Sequence, residues 1–156
     1  MMGHWQLAKR VLPILSLLPL CLVAPAAAES LDLSPYKGKV VYLDFWASWC
    51  TPCRVSFPWM NEIQQSYERA GLVVIAVNVD HDRSLADEFL RSSSPNFKIV
   101  YDPNGDIAGK YDFRDMPTSV LIGRDGRVRF THDGFFPAKE GSYLADISTL
   151  LNQKAP

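Results

Sequence analysis

Apolar and polar positions alternate along the chain in blocks of two kinds. Val40 to Ala47 (VVYLDFWA) and Leu72 to Val79 (LVVIAVNV) are runs with apolar side chains on both faces, the pattern of central strands covered on both sides. Between them Phe57, Met60, Ile63, Gln64 and Tyr67 recur at helical spacing, which predicts a helix from about Cys50 to Ala70. Pro58 inside it is expected to kink it, and Gly71 to stop it. Strand, helix, strand with short links is a parallel βαβ unit with a right-handed crossover.

Beyond it, Ser84 to Arg91 reads as a helix with Ser84 as N-cap and Leu85, Phe89 and Leu90 on one face. Phe97 to Tyr101 reads as a short strand, Pro103-Asn104-Gly105 as a turn, and Ile107 to Phe113 as one or two helical turns. Thr118 to Ile122 and Val128 to Thr131 form a hairpin around Asp125-Gly126. Gly134 to Gly141 is expected as loop, and Tyr143 to Leu151 closes the chain as a helix with Leu144, Ile147, Leu150 and Leu151 on one face. The order βαβ, then an αβ insertion, then ββα predicts an α/β fold, a mixed central sheet with helices on both faces.

The N-terminus has a different pattern. Lys9 and Arg10 precede an uncharged apolar run, Val11 to Ala24, and then Pro25-Ala26-Ala27-Ala28. Basic, apolar, small is the order of a secretory signal peptide, with cleavage expected after Ala28 and a mature domain from 29 to 156. An uncleaved anchor would leave the same domain outside the membrane. Leu20 before Cys21 is too bulky for a lipoprotein site.

With 156 residues, 47% hydrophobic and a formal net charge of -1, the chain has room for one domain and no charge signature of nucleic-acid binding. Without Lys9 and Arg10, the remainder carries 14 of the 16 basic residues against all 17 acidic ones, and only Cys50 and Cys53 of the cysteines.

Those two cysteines, in Trp49-Cys50-Thr51-Pro52-Cys53, admit three readings: a staple, a metal clip or a redox pair. A staple joins distant segments, where the unfolded chain loses more freedom, so a loop this short braces little. Export permits stable oxidation. A cysteine where a strand hands over to a helix has its thiolate stabilised by the helix N-terminus. These points favour the redox pair. Copper delivery is the competing reading, with Met116, His81 or His132 as a third ligand. A zinc finger lacks its second pair.

The segment Val41-Tyr42-Leu43-Asp44-Phe45-Trp46-Ala47-Ser48-Trp49-Cys50-Thr51-Pro52-Cys53-Arg54 resembles the active-site stretch of the thioredoxin superfamily, and Met116-Pro117-Thr118 resembles its cis-proline loop. The 63 residues between Cys53 and Pro117, the exported address and Phe57-Pro58 are similar to the TlpA/ResA-like branch of periplasmic thiol–disulfide oxidoreductases. Ser56 stands where members often carry glutamate, and Ala76 near where many thioredoxins carry a lysine beside the buried acid. Ala47 replaces the threonine that a peroxidase would need.

The resemblance implies a three-layer thioredoxin-like sandwich and thiol–disulfide exchange with protein substrates, without cofactor or metal. Cys50 is the attacking sulfur at the exposed helix start and Cys53 the resolving one. Asp44, a carboxylate in an apolar strand, is the proton acceptor for Cys53, and Pro117 forms the cis-proline wall. Trp46, Trp49, Thr51, Pro52, Met116 and Thr118 are the expected substrate contacts, with Trp46 alternatively plain core and Trp59 helix packing. Arg54 is either an aid to the Cys50 thiolate or a solvated helix residue. Members commonly act as reductants in apocytochrome c or copper-site assembly, fed electrons by a membrane protein. A monomer is expected.

Overall fold

A computed structural model describes Met2, residues 31–111 and residues 113–155. The expected signal segment, residues 1–28 with Cys21, otherwise lies outside the described residues.

Five strands form one mixed sheet: β1 (Val40–Trp46), β2 (Leu72–Asn78), β3 (Lys98–Tyr101), β4 (Thr118–Ile122) and β5 (Val128–Asp133). Their order across the sheet is β3-β2-β1-β4-β5. β2 lies parallel to β1 and to β3, and β4 runs antiparallel to both β1 and β5. The most apolar strand, β1, is therefore central, and all seven of its residues are buried. That explains its lack of alternation: each face needs an apolar side chain.

Three α-helices, α1 (Thr51–Tyr67), α2 (Arg83–Ser93) and α3 (Glu140–Leu151), contribute to one apolar cluster on one face. Val40, Tyr42 and Trp46 of β1 meet Phe57, Met60 and Ile63 of α1, Phe89 of α2 and Ile147 of α3 there. The opposite face of the sheet, with Val41, Leu43 and Phe45, is covered differently. Its cover includes Leu33 and Tyr36 beside the 3-10 turn Ser34–Tyr36, and Ile107, Ala108, Tyr111 and Phe113 on the return from β3 to β4. The helical layer on this second face is thus 3-10 in character, Ala108–Lys110 making its second turn. Asp102 holds that return segment, accepting hydrogen bonds from the Ile107 and Ala108 N–H groups at 3.0 and 2.9 Å.

Several boundaries differ from the sequence expectation. Cys50 is the N-cap of α1 and has extended backbone, so the helix starts one residue later, and it runs through Pro58 unbroken. α1 ends at Tyr67, and a 3-10 turn, Glu68–Ala70, leads to Gly71 at φ 103°, a conformation that favours glycine. Asp82, not Ser84, caps α2: its carboxylate accepts from the Ser84 N–H at 2.9 Å, which puts Ser84 inside the first turn. The expected loop from 134 to 141 holds the 3-10 turn Pro137–Lys139 and the first residues of α3. At the end of the sheet away from the cysteines, the Arg124 guanidinium donates to the carbonyls of Gly38, Ala70 and Leu151, tying three segments together.

Candidate active site

The C-terminal end of β1 delivers the chain to a short turn, Ala47-Ser48-Trp49, and then to Cys50. Cys50 donates its N–H to the Ala47 carbonyl at 3.1 Å, and its own carbonyl accepts from the Arg54 N–H at 3.2 Å. Cys50 and Cys53 are joined as a disulfide with 5.3 Å between their Cα atoms. Pro52 lies in the first turn, where a missing N–H costs nothing, and fixes the backbone between the sulfurs. The Cys53 N–H donates to Cys50 Sγ at 3.2 Å. When the disulfide opens, that amide and the helix N-terminus stabilise negative charge on Cys50.

Cys50 was expected at an exposed position, but only 4% of it is accessible in the disulfide form, against 0% for Cys53. Both sulfurs belong to the apolar cluster under α1, and Met116 packs against that cluster. The Met116–Pro117 peptide is cis, as the sequence predicts. Pro117 is held from the far side by the Gly134 N–H, which donates to its carbonyl at 2.7 Å.

Asp44 is wholly buried, on the same face of β1 as Tyr42 and Trp46. Burial pushes its carboxyl up to about 7, opposed by the hydrogen bond it accepts from the Ser119 hydroxyl at 2.7 Å. A group with that proton affinity is suited to exchanging protons with a thiol at neutral pH.

Two expected substrate contacts are not where a substrate could reach them. Trp46 is 0% exposed and packs edge-on against Phe57 and at a tilt against Phe89, at ring separations of 4.8 and 5.3 Å, so it is core rather than docking surface. Thr118 is also fully buried, and its hydroxyl donates to the Asp115 carbonyl at 2.7 Å, which braces the cis-proline loop from within. Trp49, at 68% exposure, and the exposed Thr51 and Pro52 remain at the surface around the disulfide. Trp59 packs edge-on against Tyr42, as expected of a packing residue. Trp49, Ser48, Arg54, Leu85, Glu88 and Phe89 line a shallow groove between α1 and α2, with the Arg54 guanidinium 5.1 Å over the Phe89 ring.

Ser56 is buried and donates its hydroxyl to the Cys53 carbonyl at 2.9 Å. The two histidines weighed as copper ligands have other partners. His81 Nδ1 lies 2.7 Å from the Pro103 carbonyl, and His132 Nε2 lies 2.9 Å from an Asp146 carboxylate oxygen. Among the described residues no three His, Cys, Asp or Glu side chains are grouped as a metal site.

Sequence reading missed Asp80. It is 4% exposed, and its carboxylate accepts from the Ser48 N–H at 2.9 Å, the Ser48 hydroxyl at 3.0 Å and the Asn78 amide at 2.8 Å. It thereby anchors the turn that carries Trp49 and Cys50. The available signal was Asn78-Val79-Asp80, polar residues closing an otherwise apolar run. Asp80→Ala strands three donors and should cost about 3 kcal/mol of stability in urea unfolding of the oxidised protein. A loss below about 1 kcal/mol would show that the turn holds itself.

A cysteine-capped helix, a disulfide across its first turn, a buried carboxylate on the central strand and a cis-proline loop define a thioredoxin-fold redox protein. The profile of the Redoxin family matches residues 18–148, and the chain belongs to that family, on its TlpA/ResA-like side. It is 34% identical over 110 residues to the thiol-disulfide oxidoreductase ResA of Bacillus thuringiensis subsp. konkukian, covering 70% of this chain and 64% of that protein. To ResA of Bacillus subtilis it is 36% identical over 100 residues, covering 64% of this chain and 56% of that protein. The chain thus spans less than two thirds of the length of these relatives. A crystal structure of a candidate thiol:disulfide interchange protein DsbE from Chlorobium tepidum superposes with a TM-score of 0.76 at 45% identity, covering 78% of this chain and 86% of that one.

Proposed function

We propose that this protein is an exported thiol–disulfide oxidoreductase that reduces disulfides in protein substrates. The observation that carries the reading is the Cys50–Cys53 disulfide itself, set across the first turn of α1 with a backbone N–H aimed at Cys50 Sγ. In the reduced protein the Cys50 thiolate attacks one sulfur of a substrate disulfide, and the other substrate sulfur leaves as a thiolate. Cys53 then gives its proton to Asp44 and attacks Cys50 Sγ. The mixed disulfide breaks, the second substrate sulfur departs as a thiolate, and the Cys50–Cys53 bond re-forms. Two electrons pass from the protein's dithiol to the substrate, so a thiol donor must restore the pair each cycle.

The exposed Trp49, the Thr51-Pro52 corner and the Met116 backbone form the docking surface for an extended substrate segment. The ResA relatives, named as thiol-disulfide oxidoreductases, support the reaction class. The basic-apolar-small N-terminus supports export to the periplasm, by a cleaved signal or an uncleaved anchor. Among the described residues no helix is long and apolar enough to cross a membrane. A membrane protein is the fitting electron donor and a cytochrome c or metal-site precursor the fitting substrate.

The reduction potential of the Cys50–Cys53 couple tests the direction. A reductant in an oxidising compartment should equilibrate with thioredoxin-like couples, below about -200 mV; a value near about -120 mV, that of a strong oxidant, would reverse the assignment.

A further inference from the structure

Asp44 is held by a chain of hydroxyls that the reaction described above does not use. The register of β1 with β4 sets Ser119 directly beside Asp44, while Tyr42 lies two residues along the same face. The Tyr42 hydroxyl donates to Ser119 Oγ at 2.7 Å, and the Ser119 hydroxyl donates to Asp44 Oδ1 at 2.7 Å. All three residues are buried. Asp44 Oδ2 is also buried and has no hydrogen-bond partner among the described residues.

The direction of both bonds follows from the proton count. An ionised carboxylate only accepts, and a serine has one proton to give. If that proton goes to Asp44, Ser119 Oγ is left as an acceptor, and Tyr42 fills that need. Burial, and then the neighbouring Asp44, push the Tyr42 phenol well above its ordinary range, so it stays a neutral O–H donor. Tyr42 thereby locks Ser119 into donating to the carboxylate.

We infer that Tyr42 and Ser119 are positioning residues for proton transfer: they fix Asp44 through Oδ1, stabilise its carboxylate form and leave Oδ2 as the atom that takes the Cys53 proton. The inference rests on the reading of Asp44 as the proton acceptor for Cys53. In that step the Cys53 S–H bond breaks, its proton goes to Oδ2, and its electron pair forms the new bond to Cys50 Sγ. The substrate thiolate leaves, and solvent later recovers the proton from Asp44.

Among the described residues no cation is paired with Asp44. On β2 the residue beside Asp44 is Ala76. On β5 His132 lies opposite Ser119 and is paired with Asp146 of α3. α3 also contributes Tyr143, and α1 contributes Cys53 to the same apolar cluster. Ser119 is the one hydrogen-bond donor to Asp44 among the described residues.

The test follows the Asp44 carboxyl by carbon-13 NMR and, in parallel, the pH profile of insulin-disulfide reduction, for wild type, Ser119→Ala, Ser119→Thr, Tyr42→Phe and Asp44→Asn. Losing the donated bond removes stabilisation of the charged form, so Ser119→Ala should raise both midpoints by about one pH unit. At pH 7 this lowers the rate about fivefold. Ser119→Thr keeps the hydroxyl and should restore both midpoints. Tyr42→Phe keeps its ring against Trp59 and should move them the same way by less, which also covers a failure of Ser119→Ala to fold. Unmoved midpoints in folded Ser119→Ala and Tyr42→Phe, with the activity midpoint abolished in Asp44→Asn, would overturn this inference alone. An activity midpoint that persists in Asp44→Asn would instead overturn the role of Asp44.

Discussion

Replacing Cys50 with serine is expected to lower disulfide-reductase turnover by more than about 10³-fold, because a neutral hydroxyl replaces the thiolate that starts every cycle. Replacing Cys53 should act differently. Cys50 then still attacks, but nothing resolves the mixed disulfide, so Cys53→Ser should accumulate covalent complexes with its substrates. The two variants separate the roles because the sulfurs differ in environment. Cys50 accepts the N–H of Cys53 at the helix N-cap, whereas Cys53 is fully buried among apolar side chains. Non-reducing electrophoresis, followed by release of the partners with a reductant, reads the outcome. An active Cys50→Ser protein together with a Cys53→Ser protein that traps nothing would reverse the assignment. Trapped partners would also identify the substrate class.

Asp44→Asn should change the pH dependence of folding as much as it changes the chemistry. The carboxyl has an ordinary value near 3.8 and is raised by burial to about 7 in the folded protein. Between those values the folded state binds a proton that the unfolded state has released, so stability falls as pH rises through that window. Well below pH 4 both states are protonated, and above about pH 7 both are ionised, so the loss is then complete. The full difference is about 4 kcal/mol. Asparagine has no such titration. Urea unfolding of oxidised wild type and Asp44→Asn at pH 4.5 and pH 8 should therefore diverge, with the variant gaining about 3 kcal/mol relative to wild type between the two pH values, the first part of the loss having already occurred below pH 4.5. Parallel profiles would mean that Asp44 does not carry a buried charge. On the proposed mechanism the same variant should slow the resolving step, since Cys53 would lose its acceptor while Cys50 keeps its helix end. On the proposed role of Asp44, lower stability at working pH accompanies a proton-transfer group, a trade known at active sites.

Trp46 and Thr118 show where reading the chain stopped short. Both flank the cysteine and cis-proline motifs in the sequence and were expected as substrate contacts, Trp46 with plain core as its alternative. Their side chains point into the molecule instead, Trp46 onto Phe57 and Phe89, and Thr118 onto the Asp115 carbonyl. Near a motif, neighbours in sequence alternate between surface and core, and only packing shows which is which. The second-face layer is a contrasting case. There the expectation held: Ile107 to Phe113 has the apolar residues to cover β1, and of the one or two helical turns expected the structure forms one, the 3-10 turn Ala108–Lys110.

Short-range chemistry was written plainly in the chain. Two cysteines at i and i+3, a proline between them, an apolar strand before and a periodic helix after determine a cysteine turn at a strand-to-helix junction and favour a redox pair there, because all of these act within a few residues. Asp44 stands out by the same local logic, as a lone charge in a strand that must be buried on both faces. The long-range partners were decided only by the fold. Ser119 is 75 residues from Asp44 and Asp80 is 32 from Ser48, and both pairs form because strand register brings them together. Register is set by the whole sheet rather than by any one segment. The proton affinity of Asp44 depends on that tertiary enclosure, since desolvation by all its neighbours, opposed by one hydroxyl, sets it.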